Sequence, residues 1–254
     1  MRKLDLAAEN YNDILLYDDV EVGYLNLPVR CETHDGRTLE VNFEPPFRCL
    51  GVGRDKVVIS GLVHGLDGIV GESEPVTAAI ALARKHRMAL GRLGSSMHGY
   101  RRLREHVPTA PTYEWYVGSL DGQVLIMPDL TESGRIVAAQ NDRVLSPEKI
   151  ERLRATFDDL IKQLKIFVDG LPLGIYVTFD TYFAILGEDS SSLFLGDFDN
   201  MAVSYGGSHD FSIQNRRQAE HWVECVLSYL PPNYCNSVDY IYWAHQYEIP
   251  PHKK

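Results

Sequence analysis

Cysteine is scarce: four residues in 254, at Cys31, Cys49, Cys225 and Cys235, with no CxxC or other metal-type spacing. Free thiols in a reducing cytoplasm are therefore expected, and a cysteine metal site is not. No apolar run approaches membrane-spanning length, and Met1-Arg2-Lys3 leads into no signal-peptide core, so no membrane partner is expected. Positive charge is short as well. Twenty-five Lys and Arg against 35 Asp and Glu leave a net charge of −10, which argues against nucleic acid, since phosphate binding needs a basic face. The local exception, Arg101-Arg102-Leu103-Arg104, reads as a solvated helix face. GxSxG, HExxH and GxxxxGK[ST] do not occur, which removes the commonest hydrolase, zinc-protease and P-loop signatures. Internal repeats and low-complexity segments are missing too.

The composition that remains is 44% hydrophobic and 24% charged, ordinary for a globular chain long enough for one larger domain or two small lobes. The most ordered stretch runs from Ser146 to Met201. Ser146 suits an N-cap, Pro147 the first helical position, and Glu148 the positive end of the dipole. Ile150, Leu153, Phe157, Leu160, Ile161, Leu164 and Phe167 then recur three and four apart, one buried helical face, until Asp169-Gly170 and Pro172 end it. Two short strands follow, around Tyr182–Leu186 and Leu193–Asp197, joined by the polar turn Gly187–Ser192.

Upstream, residues 1–25 are acidic and aromatic, with one strand expected near Val20–Leu25. Arg30–Thr33 and Thr38–Phe43 alternate around His34-Asp35-Gly36-Arg37, a β-hairpin signal. After Pro45-Pro46, the run from Phe47 to Val58 reads strand, glycine turn, strand. Gly61, Gly65, Gly68 and Gly71 read as turns between strands. Glu74-Pro75 is expected to start a helix carrying Val76, Ile80, Ala83 and Arg87, with a second piece over Met97–Glu105. Thr112–Leu120 and Gln123–Met127 flank Asp121-Gly122, the strongest hairpin signal of the chain. Thr131–Leu145 reads as a polar connection. Gln214–Leu230 reads as a helix with Ala219, Trp222, Val223, Val226, Leu227 and Leu230 inward. An aromatic tail (Tyr234, Tyr240, Tyr242, Trp243, Tyr247) is expected to pack on the last domain.

A long helix, a loop, a hairpin and an acidic exit resemble the catalytic spine of a protein kinase. The exit Leu195-Gly196-Asp197-Phe198-Asp199-Asn200 looks like a DFG motif with Asp199 in place of the Gly. Leu50-Gly51-Val52-Gly53-Arg54 and Lys162-Gln163-Leu164-Lys165 are similar to patterns of the PhoP-regulatory-network proteins, bacterial members of the kinase-like superfamily. The likeness covers roughly residues 47 to 230. It implies a bilobal α+β fold with a β-rich N-lobe over 47–130 and a helical C-lobe over 131–254, after an N-terminal extension with a β-hairpin at 1–46. It also implies a site for ATP and Mg²⁺. There Gly51, Gly53, Lys56 and the hinge-like Met127 would bind nucleotide, Asp180 and Asp197 would be catalytic, and Asp197 and Asp199 would hold metal. A plain β-turn is the alternative for the lone GxG, a structural cap for Asp197, and an exposed acidic turn for Asp199.

Much of the transfer machinery that the resemblance calls for is missing. The strand lysine should fall about 20 residues beyond the glycine turn, yet Asp67–Gly71 contains none; Lys56 could substitute, and Lys85 reads as helical. The partner glutamate could be Glu72, Glu74 or Glu105. The expected base position is Phe179, with Asp180 beside it, and Ala184 replaces the Asn that would hold a second Mg²⁺. His209 with Asp210, and His221 with Glu224, read as surface pairs. The expectation is a pseudokinase, acting in regulation through nucleotide or a protein partner. An active atypical phosphotransferase using Asp180 and Asp197, and a scaffold without a nucleotide site, are the alternatives.

Overall fold

The structure, a computed structural model, describes residues 22–53, 55–71, 75–84, 92–131, 134–139, 145–204 and 209–230. The chain divides into two compact units, Met1–Leu103 with Tyr113–Gly134, and Arg104–Thr112 with Arg135–Lys254. The expectations for Arg54, Glu72, Glu74, Lys85, Arg87, Cys235 and the aromatic tail lie outside the described residues, as do those for residues 1–21.

In the first unit, six strands close an antiparallel barrel. They are β1 (Val29–Thr33), β2 (Thr38–Val52), β3 (Lys56–His64), β4 (Val76–Ala83), β5 (Val117–Ser119) and β6 (Val124–Pro128). Their order is β1-β2-β3-β4-β6-β5, and β5 returns to pair with β1. Alternate residues point inward, as a period of two requires. Val57, Ile59 and Val63 of β3 meet Ala78, Ile80 and Leu82 of β4, with Val29, Cys31, Val41, Val117, Val124 and Ile126 closing the core. Two helices belong with the barrel: α1 (Asp67–Val70) and, up to Leu103, α2 (Arg92–His106). Gly65 is a position only glycine fits. Its φ is +86°, and a Cβ there would lie 2.1 Å from the Glu40 carbonyl oxygen.

Three sequence expectations change here. Val76–Ala83 is a strand, not a helix. Its alanines and Leu82 favour helix intrinsically, but β4 lies between β3 and β6 and is buried on both faces from Ala78 onward, so tertiary pairing overrides propensity. The hairpin expected at Arg30–Thr33 and Thr38–Phe43 is formed by β1 and the first half of β2; β2 continues through Pro45-Pro46 with a register shift between Glu44 and Arg48. The strand expected near Val20–Leu25 is a short 3₁₀ turn, Val22–Asn26. Arg101 is also less solvated than expected: its guanidinium donates to the Thr33 carbonyl at 2.8 Å and pairs with Glu32 at 3.0 Å.

The second unit is built on α3 (Pro147–Asp169), capped as its sequence implies, with Ser146 Oγ accepting from the Lys149 N–H at 3.3 Å. Leu153, Phe157, Leu160, Ile161, Leu164 and Val168 form its buried face. A three-stranded antiparallel sheet carries β9 (Tyr182–Leu186) between β10 (Ser191–Leu195) and β7 (Ile136–Ala139). β7 lies within the segment expected to be a polar connection. A two-residue pair joins β8 (Ile175–Tyr176) to β11 (Ala202–Val203). α4 (Ser212–Leu227) buries Ala219, Trp222, Val223 and Val226. Among the described residues, no helix is long and apolar enough to cross a membrane.

Four backbone groups along the outer edge of β10 are met by other parts of this unit. Gln163 of α3 donates from Nε2 to the Ser191 carbonyl at 2.9 Å and accepts the Leu193 N–H on Oε1 at 2.8 Å. The Pro111 carbonyl takes the Leu195 N–H at 2.8 Å, and Thr112 Oγ1 donates to the Leu195 carbonyl at 2.9 Å. An edge strand left bare would be a template for wrong pairing.

Candidate functional site

Two antiparallel ladders in the second unit bracket a pair of facing loops. On one side β9 pairs with β10, ending at Tyr182 opposite Leu195. On the other side β8 pairs with β11. Residues 177–181 and 196–201 lie between them. The Gly196 N–H donates to the Thr181 carbonyl at 3.0 Å, carrying the β9–β10 register one residue further. Beyond that bond the ladder ends, because Phe179–Thr181 is a 3₁₀ turn. Asp180 and Asp197, the two carboxylates singled out from sequence, thus lie on the two loops at the mouth of one hairpin.

The first arm turns through a single 3₁₀ turn, Phe179–Thr181, so Asp180 leaves the strand direction there. Both Asp180 oxygens are engaged. Oδ1 accepts from the Thr178 hydroxyl, and Oδ2 accepts from Asn200 Nδ2 at 2.8 Å. Asp197 is half-buried, with Oδ1 out of solvent, and Phe198 behind it is fully buried. Asp199 is half-buried in the turn that the Met201 N–H closes on the Phe198 carbonyl at 3.3 Å.

Behind the first arm stands α4. Asn215, 1% exposed, accepts the Val177 N–H on Oδ1 at 2.9 Å and donates from Nδ2 to the Ile175 carbonyl at 2.7 Å. Gln218 Oε1 accepts the Phe179 N–H at 2.9 Å. Sequence reasoning passed over both residues. The signal was an Asn four residues before Ala219 and seven before Trp222, a polar side chain inside an apolar helical stripe.

Phe179 and Ala184, expected at the base and second-metal positions, both make packing contacts. The Phe179 ring packs edge-on against the His221 ring, centroids 4.4 Å apart. Ala184 is fully buried in the central strand, opposite Leu193 and Ala138. His221 also lies 3.6 Å from Glu224 on the exposed face of α4, and His209 stacks on Phe211 at 5.8 Å.

In the first unit, the glycine turn joins β2 to β3. The Gly53 N–H donates to the Lys56 carbonyl at 2.8 Å and so closes the turn. Gly51 pairs with Val58, and a Cβ there would meet nothing within 4 Å, so the backbone at this point is open to close approach. Lys56 is the first residue of β3, half-buried, opposite Ala83. Met127 is buried on β6 opposite Ala79. The chain then turns at Asp129, whose Oδ1 accepts from the Thr131 N–H at 2.8 Å and hydroxyl at 2.6 Å. The window in which a lysine was sought, Asp67–Gly71, is α1 and its cap. The strand third in order after the glycine turn's own two is β4, and Val76–Ala83 contains no lysine.

Among the described residues, no group of three or more His, Cys, Asp or Glu could hold a metal ion. An all-protein cation cage is therefore not what these side chains offer. Mg²⁺ asks less, one or two carboxylates with waters and phosphate oxygens completing the octahedron. The hard oxygen donors of Asp197 and Asp199 suit that demand. The buried thiol of Cys31 belongs to the barrel core and to no site; burial, with the charge of Asp121 adding to it, pushes it up to about 12. No known protein-family model and no curated protein matches the chain.

Proposed function

We propose that this chain is a protein-kinase-like protein, nearest to the PhoP-regulatory-network group, with a degraded phosphotransfer site. It acts through binding, of nucleotide with Mg²⁺ or of a protein partner, in regulation. The observation that carries the reading is the loop pair between two ladders, just beyond a hairpin, with Asp180 on one loop bonded to Asn200 on the loop that carries Asp197 and Asp199. The order of elements agrees: two strands around a glycine turn, a third strand, a helix, a hairpin, a long helix, then the acidic loop pair. In this reading Gly51, Gly53, Lys56 and Met127 serve the nucleotide, and Asp197 with Asp199 the metal.

Degradation of the transfer step rests on three features. β4 lacks a lysine to grip phosphates. Ala184 occupies a packed strand position, where no ligand could be presented. Asp180, the remaining base, spends both oxygens on Thr178 and Asn200. Mg²⁺, when bound, would neutralise charge on phosphate oxygens.

Thermal unfolding with ATP and Mg²⁺ tests this, since a ligand stabilises only the fold it binds. The wild type should gain melting temperature, and Asp197→Asn should abolish the Mg²⁺-dependent part while leaving the apo fold nearly as stable. Labelled ATP should show no transfer above background. A wild type that is indifferent to Mg²⁺ and ATP would refute nucleotide binding.

A further inference from the structure

We infer that Gln218, together with Asn215, is a positioning residue for Asp180, setting from α4 how the first arm of the loop pair faces the second. The inference rests on the nucleotide–metal reading above and goes beyond it by assigning residues that touch neither.

Beyond Tyr176 the first arm has no strand partner among the described residues, since β8 pairs with β11 over only two residues. Side-chain amides stand in for one. Asn215 accepts from one backbone N–H and donates to one carbonyl, as an adjacent strand would, and it does so at 1% exposure. Gln218 lies three residues further along the same helix face, and its Oε1 takes the Phe179 N–H. The three anchored residues, Ile175, Val177 and Phe179, are alternate positions along the arm. Their backbone groups therefore point one way, toward α4, up to the residue before Asp180. There the chain enters its 3₁₀ turn, and Asp180 is tied on its other side to Thr178 and Asn200. Gln218 thus fixes the backbone one residue from Asp180, whose carboxylate holds Asn200 on the second arm.

A partner held this way acts through orientation. Asp180 holds Asn200, the neighbour of Asp199, at 2.8 Å, so the first arm sets the arm assigned to the metal. Residues that orient metal-binding groups without touching the metal typically change affinity 10- to 100-fold when lost. Asn215→Ala would strip two buried backbone groups of partners and endanger the fold. Gln218 is half-buried, so water can reach the freed Phe179 N–H, and this position carries the test.

The experiment measures ATP affinity of the full chain by calorimetry, in Mg²⁺ and in EDTA, for wild type, Gln218→Leu and Gln218→Glu. Mn²⁺ paramagnetic resonance in the presence of ADP gives a second readout. Gln218→Leu should keep its melting temperature within a few degrees and lose about 10- to 100-fold of the Mg²⁺-dependent affinity. Its affinity in EDTA should not change. Gln218→Glu, whose carboxylate still accepts the N–H, should retain the Mg²⁺ effect. Equal Mg²⁺ effects in wild type and Gln218→Leu would overturn the inference alone, as would a Gln218→Glu variant as impaired as Gln218→Leu. A wild type without Mg²⁺-dependent ATP binding would overturn the nucleotide reading and this inference with it.

Discussion

Cys31 gives a quantitative handle on the barrel. It is fully buried in β1, between Leu39 of β2 and Ser119 of β5. Burial first, and the charge of Asp121 second, push its thiol from 9.0 to about 12. In the unfolded chain the thiol ionises near its ordinary value, while in the folded chain it keeps its proton. The folded state therefore binds more protons above about pH 9, and stability falls with rising pH until about pH 12. One unit into that window, at about pH 10, the loss attributable to Cys31 is about 1.4 kcal/mol. Urea unfolding at about pH 7.5 and at about pH 10, followed by tryptophan fluorescence, would measure it. Cys31→Ala should start lower by about 1 kcal/mol, for lost packing, and then decline less steeply than wild type. Parallel declines of the two proteins would refute the argument. The native thiol should also resist iodoacetamide, because only the thiolate attacks.

Two further perturbations separate mechanisms. Tyr182 is fully buried against Trp222, and its hydroxyl has no hydrogen-bond partner among the described residues; Tyr182→Phe should raise stability by about 1 kcal/mol, and a loss of that size in urea unfolding would mean the hydroxyl is paired. Gly65→Ala meets both a left-handed φ and the Glu40 carbonyl, whereas Gly71→Ala meets only the φ of +78° with open space around it. The first should cost about 3 kcal/mol and the second about 1 kcal/mol; equal costs would show that β2 yields freely at Glu40.

What the sequence made legible followed from local chemistry. Ser146 and Pro147 marked the start of α3, its apolar spacing marked the buried face, and Asp121-Gly122 marked the β5–β6 hairpin. β4 was misread because its residues serve two masters: Val76, Ile80 and Ala83 sit at helical spacing, and alanine is the best helix former. The deciding fact, burial on both faces between β3 and β6, is nonlocal. β7 was missed because four residues between polar neighbours carry too little pattern. At the site, Asp197 was visible as the end of a hairpin. That its loop lies beside the one carrying Asp180 required the register of β9 on β10, and the Asp180–Asn200 bond spans twenty residues of chain. Gln163 was noticed as part of a motif, but its work on the β10 edge appears only once α3 lies against that strand.

The amides that grip this loop pair have a consequence for how such a site can age. Asn215 and Gln218 bind the main chain of the first arm, and Gln163 that of the strand leading into the second, so their course is held by groups indifferent to which side chains they display. Shape and chemistry are thereby uncoupled. A side chain on the first arm can be exchanged while the mould around it stays cast. The same independence works in reverse: restoring a lost group to such a frame requires a change of side chain, without a new fold to build around it.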